Sequence, residues 1–400
     1  MPLDVATAQL LAAVTPIAEQ EHVATLQADG RVLADNVVSH LHVPPQDNSS
    51  MDGYALRSAD VADAHTVLQV TQRIAAGTVG VPLQPHTAAR IFTGAPIPPD
   101  ADAVVMQEDC TAQDSAITVN TIPLPGQWIR RAGEDVARGD VVLAKGQRLG
   151  PAELGLAASI GMAELTVLRR PRVALFSTGD ELVMPGTVAP QNMRPGAIYN
   201  SNRFFLSNLL KRLGCEVTDF GIVPDQRDAT IQALKTASEA HDVILTSGGV
   251  SVGEEDHIKP AVQTLGHLDL WQIAIKPGKP FAHGKVGGAH FIGLPGNPVS
   301  SFVTFLLLVR PFLLRLQGVT DVTMPSMQLP AHFDWPRADK RQEFLRVRRN
   351  AQGGLDLFAN QSSGVLTSVV WGDGLVDTPA GRPILYGEMV RFISIAEALA

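Results

Sequence analysis

The sequence has little cysteine and little charge. Two cysteines, Cys110 and Cys215, occur in 400 residues, too few for a disulfide framework or a cysteine-ligated zinc site. Charged residues make up 18% of the chain, and 32 basic against 40 acidic side chains give a formal net charge of -8. Because an acidic chain repels polyanions, a general nucleic-acid binder is disfavoured and we expect no nucleic-acid partner.

The composition of the first residues leads us to expect no export. No lysine or arginine precedes Arg31, so the basic start of a secretory signal is missing and we expect a cytoplasmic protein. A long uncharged run spans residues 291–309, but Pro295, Gly296 and Pro298 interrupt it. About a dozen helical residues remain, against the roughly 20 that a bilayer requires. The run therefore predicts a buried helix and no membrane partner.

Patterns of strands and helices change along the chain. Short β-rich runs alternate with glycine and proline turns from about residue 67 to residue 135, which is typical of a small β-rich module. Residues 171–318 alternate strand and helix patterns, which favours a parallel α/β sheet. The tail, residues 325–400, has many short strand-like runs and no long helical period. The sequence thus predicts a multidomain α/β protein with a separate C-terminal β domain.

Two loops after predicted strands carry unusual chemistry, and ligands of open parallel sheets bind at such strand ends. The loop at 177–181 offers hydroxyls and carboxylates that suit hydrated Mg²⁺ or a nucleotide, or that simply cap a helix. The loop at 247–253 has three glycines whose N–H groups can form an anion nest, with Ser247 and Ser251 as further donors. The acids at 254–256 favour phosphate and metal binding over a plain tight turn.

A third loop, residues 294–300, places Pro298 in the first turn of a helix whose unpaired N–H groups face the same edge. Nearby, Lys276 and Lys279 each precede a proline that stiffens the backbone. Residues 270–320 contain no aspartate or glutamate. A stretch with fixed lysines and no acids is suited to an oxyanion.

Other polar segments lie outside the central region. Residues 44–54 carry aspartates in a turn-rich context and are favoured as a linker, and Thr93 is a possible donor in the turn at 92–96. Six basic residues lie within 337–349. They are either a solvated surface or arginine forks for an oxyanion. The residues alone thus predict a phosphate-handling, Mg²⁺-assisted site.

Seven strings together resemble one family, the MoeA-type molybdopterin molybdotransferases, which are relatives of the gephyrin E domain. They span nearly the whole chain in the family's order, and are weakest in the tail, where only RQEFLR and NQSSG match. The strings are DNSSMDGYA (47–55), IFTGAP (91–96), RRAGEDV (130–136), FSTGDEL (176–182), TSGGVSVGEED (246–256), KPGKP (276–280) and LPGNPVS (294–300).

The resemblance implies a fold and an assembly. It implies a homodimer of elongated, four-domain chains. The domains are a mixed elongated domain (1–46 plus 136–168), a small β-rich domain (47–135), a three-layer α/β domain of the molybdopterin-binding type with a central parallel sheet (169–324), and a C-terminal β-barrel-like domain (325–400). Other proteins of molybdenum cofactor biosynthesis are possible partners.

The resemblance also implies an activity: molybdate is inserted into adenylyl-molybdopterin and AMP is released, with Mg²⁺ as cofactor. The implied metal ligands are Glu181 and Asp256, with Asp225 and Glu254 as acid neighbours. Asp52 and Thr93, from the partner subunit, are implied to complete the catalytic cleft with Asp256. The implied binding residues are Ser247, Gly248, Gly249, Ser251 and Gly253 for phosphate, Pro298 at the helix entrance, and Lys276, Lys279, Ser300, Arg341 and Ser363 for molybdate.

Two other functions compete with this interpretation. A molybdopterin adenylyltransferase resembles residues 171–318 alone, so the additional regions of this chain argue against it. A gephyrin-like scaffold that binds partner peptides is the second, but no fused module or long linker supports it. The low cysteine content is compatible with a molybdotransferase, because the sulfurs that bind molybdenum belong to the substrate.

Overall fold

The computed structural model of the protein describes residues 1–223, 226–249 and 258–400. Three six-stranded sheets dominate this part of the chain. The helices and strands up to residue 168 are α1 (Leu3–Ala12), β1 (Gln20–Ala24), β2 (Val37–Val38), β3 (Asn48–Ser49), β4 (Gly53–Leu56), β5 (Thr66–Ile74), β6 (Thr87–Ile91), β7 (Ala103–Met106), β8 (Cys110–Gln113), β9 (Ala116–Val119), β10 (Ile129–Arg130), β11 (Val141–Leu143), α2 (Pro151–Ser159) and β12 (Glu164–Leu168).

The first sheet has the strand order β7-β4-β6-β5-β9-β8 and forms the β-rich region expected from the sequence. Antiparallel pairs of β1 with β12 and of β2 with β11 join the segments on either side of it. Pro151 begins α2 and Gly161 follows its end with a φ of 83°, as the proline and glycine pattern predicts. The exact domain boundaries stay predictions.

The second sheet belongs to the central region. Its elements are β13 (Arg172–Thr178), β14 (Leu182–Val183), β15 (Ile198–Tyr199), α3 (Asn202–Arg212), β16 (Glu216–Val223), α4 (Arg227–Ala240), β17 (Val243–Ser247), α5 (Ile258–Leu265), β18 (Gly266–Gln272), β19 (Ile275–Lys276), β20 (Pro280–Val286), β21 (Ala289–Leu294), α6 (Pro298–Thr304), a π-helical turn (Phe305–Val309) and α7 (Arg310–Leu316).

This central sheet has helices on both faces. The strand order is β16-β13-β17-β21-β20-β18, in which the first four strands are parallel and β20 is antiparallel to both of its neighbours. Along β13, Val173 and Leu175 face the core beneath α3 and α6, whereas Ala174 and Phe176 face the core beneath α4 and α5. Burial of both faces explains why β13 is apolar without alternation.

The buried helix predicted from residues 298–309 is longer than expected. Helical structure continues through the π-helical turn into α7, which begins at Arg310 with Pro311 in its first turn. The stretch Pro298–Leu316 is thus 19 residues long and, by length and composition, could cross a membrane. The length argument made from the sequence is therefore wrong. Burial identifies the stretch as a core helix, because 94% of its most apolar window lies inside the protein.

The third sheet lies in the C-terminal region. Its path is β19-β23-β25-β26-β22, with β24 paired to β23, and an isolated bridge from Ala331 to Leu355 closes the C-terminal strands on themselves. The parallel pairing of β19 with β23 places Lys276 opposite Glu343 and so joins this region to the central one. The elements are β22 (Met327–Pro330), β23 (Gln342–Arg349), β24 (Leu355–Leu357), α8 (Thr367–Trp371), β25 (Gly374–Thr378), β26 (Met389–Ser394) and α9 (Ile395–Ala398).

Candidate active site

A cavity of about 760 Å³ opens at the carboxyl ends of β13, β17 and β21. This is the edge at which parallel sheets bind ligands. It brings together the three loops that the sequence singled out. Of the predicted site residues that the structure describes, those lining the cavity are Glu181, Ser247, Gly248, Gly249, Pro298 and Ser300.

Two glycines form one wall of the cavity. Gly248 and Gly249 have φ angles of 93° and 68°, which side chains rarely adopt. A Cβ on Gly248 would lie 2.8 Å from the Thr178 carbonyl oxygen, and one on Gly249 would lie 2.6 Å from Ile258 Cγ1. The backbone therefore requires glycine at both positions. The Gly248 N–H already donates to the Leu294 carbonyl oxygen at 3.1 Å, so Gly249 is the glycine of this pair whose N–H can be presented to an anion.

The opposite wall is the start of α6. Ser300 is only 5% exposed there, and the Val299 N–H donates to the Ser363 carbonyl oxygen at 3.0 Å. This bond brings the segment with the predicted Ser363 to the cavity, where the next residue, Gly364, forms part of the lining. One helix N–H is thus already used by protein, and the wall is built from two regions far apart in sequence.

Asn202 fixes the two walls relative to each other. Its Nδ2 donates to Ser247 Oγ at 2.8 Å and to the Gly296 carbonyl oxygen at 2.7 Å. The residue is 9% exposed and lines the cavity at the start of α3. Sequence reasoning missed it, because an asparagine in the first turn of a helix is ordinarily a local feature; the polar string around 200–202 was the available signal.

Further polar atoms in the cavity wall have no hydrogen-bond partner among residues 1–223, 226–249 and 258–400. They are the buried Thr178 Oγ1 and Asn200 Nδ2, and both residues line the cavity. Glu181 supplies a carboxylate beside them. Carboxylate and hydroxyl oxygens are ligands that Mg²⁺ takes. The part of the chain that the structure describes contains no group of three or more His, Cys, Asp or Glu side chains able to hold a metal, so the magnesium site predicted from the sequence stays a prediction.

Several predicted site residues lie outside the described residues. They are Asp225, Ser251, Gly253, Glu254 and Asp256. Their assignments stay predictions.

Lys276 and Arg341 meet around one aspartate. Lys276 Nζ lies 3.3 Å from Asp339 Oδ2 and 3.0 Å from Glu343 Oε1. Burial lowers the pKa of Lys276, but the hydrogen bonds and charges of Glu343 and Asp339 outweigh it and hold that pKa above its ordinary value. The hydrogen bonds from Arg341 are the main reason that the pKa of Asp339 is well below its usual range. Residues 270–320 contain no acid of their own, but the fold places Asp339 and Glu343 beside Lys276.

Lys279 and Ser363, also predicted to bind molybdate, have different surroundings. Lys279 is exposed and forms no ion pair with the residues that the structure describes. The Ser362 carbonyl oxygen accepts a hydrogen bond from the buried Arg346 guanidinium at 3.4 Å, and burial lowers the pKa of Arg346 to about 10. Arg346 thus supports the serine loop from inside, contrary to a solvated basic strand. Lys276, Lys279, Arg341 and Ser363 do not line the cavity described above.

Asp52 and Thr93 lie in the β-rich region and contact each other directly. The Thr93 N–H and hydroxyl both donate to Asp52 Oδ1 at 2.8 Å. The backbone bond and then the hydroxyl bond lower the pKa of Asp52. Neither residue is among the described lining of the cavity in the same chain. The structure therefore pairs the two residues but does not bring them to the strand-end loops.

A larger cavity, of about 1050 Å³, lies elsewhere, between α1, the long buried helix and the C-terminal sheet. Leu3, Leu307, Phe344 and Ile393 are among the residues that line it. None of the strand-end loop residues that the structure describes is in its lining. We place the candidate active site in the smaller cavity, because that is where the glycine nest and the helix start converge.

The fold and cavity define a multidomain α/β protein with a ligand-sized cavity at the strand ends of its central sheet. Three family models match the chain in order. "MoeA N-terminal region (domain I and II)" matches residues 1–161, "Probable molybdopterin binding domain" matches 174–315, and "MoeA C-terminal region (domain IV)" matches 328–395. The chain belongs to the MoeA family. The family resemblance predicted from the sequence is confirmed.

Individual relatives agree with these matches. "Molybdopterin molybdenumtransferase" of Haemophilus influenzae is 42% identical over 83% of this chain and 80% of its own length. "Molybdopterin molybdenumtransferase 2" of Mycobacterium tuberculosis is 37% identical over 93% of both chains. The crystal structure of a molybdopterin biosynthesis MoeA protein from Pyrococcus horikoshii OT3 matches with a TM-score of 0.87 and 28% identity, covering 98% of this chain and 99% of that one. The predicted fold class is confirmed.

Proposed function

We propose that this protein is a molybdopterin molybdenumtransferase that takes adenylyl-molybdopterin and molybdate, forms the metallated cofactor and releases AMP. Curated relatives of this name match most of the chain. The observation that carries the proposal is the strand-end cavity, in which the Gly248–Gly249 turn and the start of α6 face each other. That geometry suits a phosphate-bearing ligand.

The residues bind and orient two anions. The glycine turn and the Ser247 hydroxyl hold the phosphates of adenylyl-molybdopterin, and Asn202 keeps this turn facing Gly296 and α6. Lys276, Lys279, Ser300, Arg341 and Ser363 are the proposed molybdate set. The dithiolene sulfurs of the substrate replace oxygens on molybdenum, so the protein supplies proximity and charge stabilisation.

Magnesium is the proposed cofactor. Glu181 would hold it from the described part of the cavity, with Asp256, Asp225 and Glu254 as further acids. Bound there, Mg²⁺ would neutralise the phosphoanhydride and assist its hydrolysis. Glu181→Gln should therefore raise the Mg²⁺ concentration needed for half-maximal AMP release. An unchanged Mg²⁺ requirement would place the metal elsewhere.

We further propose a homodimer in the cytoplasm. The support is that Asp52 and Thr93 form one hydrogen-bonded pair away from the cavity of their own chain, as expected if they complete the cleft of a partner subunit. Multi-angle light scattering of the purified chain should give twice the monomer mass of 42.6 kDa. A monomer at micromolar concentration would contradict this assembly. Other proteins of cofactor biosynthesis are proposed to exchange substrate and product with the dimer.

AMP release tests the function directly. The purified chain is incubated with adenylyl-molybdopterin and Mg²⁺, with and without molybdate, and AMP is measured over time. We expect molybdate to stimulate AMP release in step with formation of the metallated cofactor. Release that is absent, or that does not respond to molybdate, would exclude the proposal. An adenylyltransferase would instead consume nucleoside triphosphate in a separate incubation with molybdopterin, Mg²⁺ and the triphosphate.

A further inference from the structure

The Asp339 carboxylate occupies the space between Lys276 and Arg341. Asp339 Oδ1 accepts from the backbone N–H and Nε of Arg341 at 3.0 and 3.1 Å, and Oδ2 accepts from Arg341 Nη2 at 3.1 Å. Lys276 Nζ approaches Oδ2 from the other side at 3.3 Å. The aspartate thus receives a two-pronged guanidinium contact and an ammonium contact at once.

An external oxyanion would use the same donors. A guanidinium fork binds two oxygens of one anion, and a lysine adds a point charge. In this structure both groups are directed at the protein's own carboxylate. Molybdate can bind Lys276 and Arg341 together only if the Asp339 side chain moves away from them.

Glu343, the second acid in contact with Lys276, is held differently. Its side chain is 2% exposed, and Oε2 accepts from Trp335 Nε1 at 2.9 Å and from the Asp339 N–H at 3.1 Å. Glu343 lies within β23, whereas Asp339 precedes that strand and its side chain is 19% exposed. Glu343 is therefore a fixed partner of Lys276, and Asp339 is the carboxylate that can turn aside.

We propose that Asp339 is an internal competitor for the oxyanion. Its carboxylate occupies the space between Lys276 and Arg341 until molybdate displaces it. Asp339 thereby sets the molybdate concentration at which the oxyanion binds there. This inference rests on the proposed function, because that function assigns the two cations to molybdate.

The test is equilibrium binding of molybdate to the full chain by calorimetry, without the pterin substrate. Asp339→Asn keeps the shape of the side chain and removes its charge, and Asp339→Ala removes the carboxylate altogether. Both variants should bind molybdate more tightly than wild type, by about fivefold, the change expected when one partly screened charge contact is lost. Asp373→Asn is the matched control. Asp373 pairs with Arg349 at 2.9 Å in the same C-terminal region, and its loss should leave molybdate affinity unchanged.

The outcomes separate this inference from the proposed function. Binding that is unchanged or weaker in folded Asp339 variants would overturn it and make Asp339 a support for Arg341. If neither the wild type nor any variant binds molybdate, the inference fails together with the assignment of Lys276 and Arg341 to molybdate. If the variants bind more tightly but molybdate does not stimulate AMP release, the inference stands and the proposed function fails. Circular dichroism confirms folding, and the two substitutions provide independent readings.

Discussion

Lys276 and Glu343 lie directly opposite each other where β19 pairs in parallel with β23, with 3.0 Å between Nζ and Oε1. The pair joins the central sheet region to the C-terminal sheet through both backbone and side chains. It also brings a buried acid to a stretch of sequence that has none of its own. The charge around the proposed oxyanion site is therefore set by the pairing of two distant strands.

Lys279 and Ser300 test the location of the oxyanion. Lys279 forms no ion pair within the described residues, so its charge is available to a ligand. Lys279→Ala and Ser300→Ala should each raise the molybdate concentration for half-maximal AMP release by about tenfold, as expected for loss of one hydrogen bond to a charged group. Lys235→Ala, an exposed lysine on α4, is the control and should behave as wild type. If Lys279→Ala and Ser300→Ala need no more molybdate for half-maximal AMP release than the wild type and the control, the oxyanion binds elsewhere.

Asn202→Ala should impair both stability and activity. The substitution removes the donor to Ser247 and Gly296 and leaves their acceptors unpaired, at a cost of about 1–3 kcal/mol. We expect a lower melting temperature and a lower rate of AMP release. Asn208→Ala removes an exposed asparagine of the same helix, whose Nδ2 donates to the Phe204 carbonyl oxygen within that helix. That control should retain normal turnover; a comparable loss in both variants would argue that Asn202 serves α3 alone.

Gly249→Ala tests the glycine turn. Its new Cβ would lie 2.6 Å from Ile258 Cγ1 and 3.0 Å from Thr178 Oγ1, at a φ of 68°. The turn must shift to relieve these contacts, so we expect weaker binding of adenylyl-molybdopterin, measured by calorimetry. Gly155→Ala in α2 meets no atom within 4 Å and should be neutral or slightly stabilising. Unchanged binding in Gly249→Ala would mean that the turn does not contact the phosphates.

The buried histidines His283 and His290 predict a loss of stability in acid. Their rings stack at 5.8 Å between centroids, and burial, assisted by the positive charge of Lys285, lowers the pKa of each to about 4 from 6.5. The unfolded chain therefore binds more protons than the folded chain between those values. The contribution of the two neutral histidines to the free energy of unfolding is fully present above pH 6.5. It falls as pH decreases towards 4, by on the order of 2 kcal/mol per histidine.

Replacing both histidines by phenylalanine should remove this part of the pH dependence. Melting temperatures measured from pH 7 to pH 4.5 should fall less in the double variant than in wild type. His65→Phe, at an exposed turn, should follow the wild-type curve. Parallel curves for the double variant and wild type would show that other groups dominate acid unfolding.

Subunit mixing tests whether Asp52 acts across an interface. Asp52→Asn and Lys279→Ala should each be poorly active alone. If the two residues serve one cleft from different subunits, a mixed dimer contains one intact cleft, and about a quarter of the wild-type rate should return when equal amounts are refolded or co-expressed. Mixing that restores nothing, although mixed dimers form, would place Asp52 in the cleft of its own chain or outside the reaction.

The secondary structure was largely predictable near the site. The strand and helix alternation predicted over residues 171–318 is observed, with α3 at Asn202–Arg212 and α4 at Arg227–Ala240 as two of its helices, because apolar periods are local signals. The reversal of β20 and the extension of the 298–309 helix into α7 were not predicted. Both depend on packing, as the burial of α7 on nearly every side shows.

The sequence by itself determined the family, the fold class and the strand-end loops, because each is encoded in contiguous residues whose backbone preferences are local. Gly248 and Gly249 are examples, since their positive φ angles require no distant partner. Only the tertiary structure showed that Asn202 ties two of those loops together. It also showed that Asp339 and Glu343 face the lysine of an acid-free stretch. These relations join residues of separate strands and helices, and electrostatic interactions depend on distance in space, which spacing along the chain does not specify.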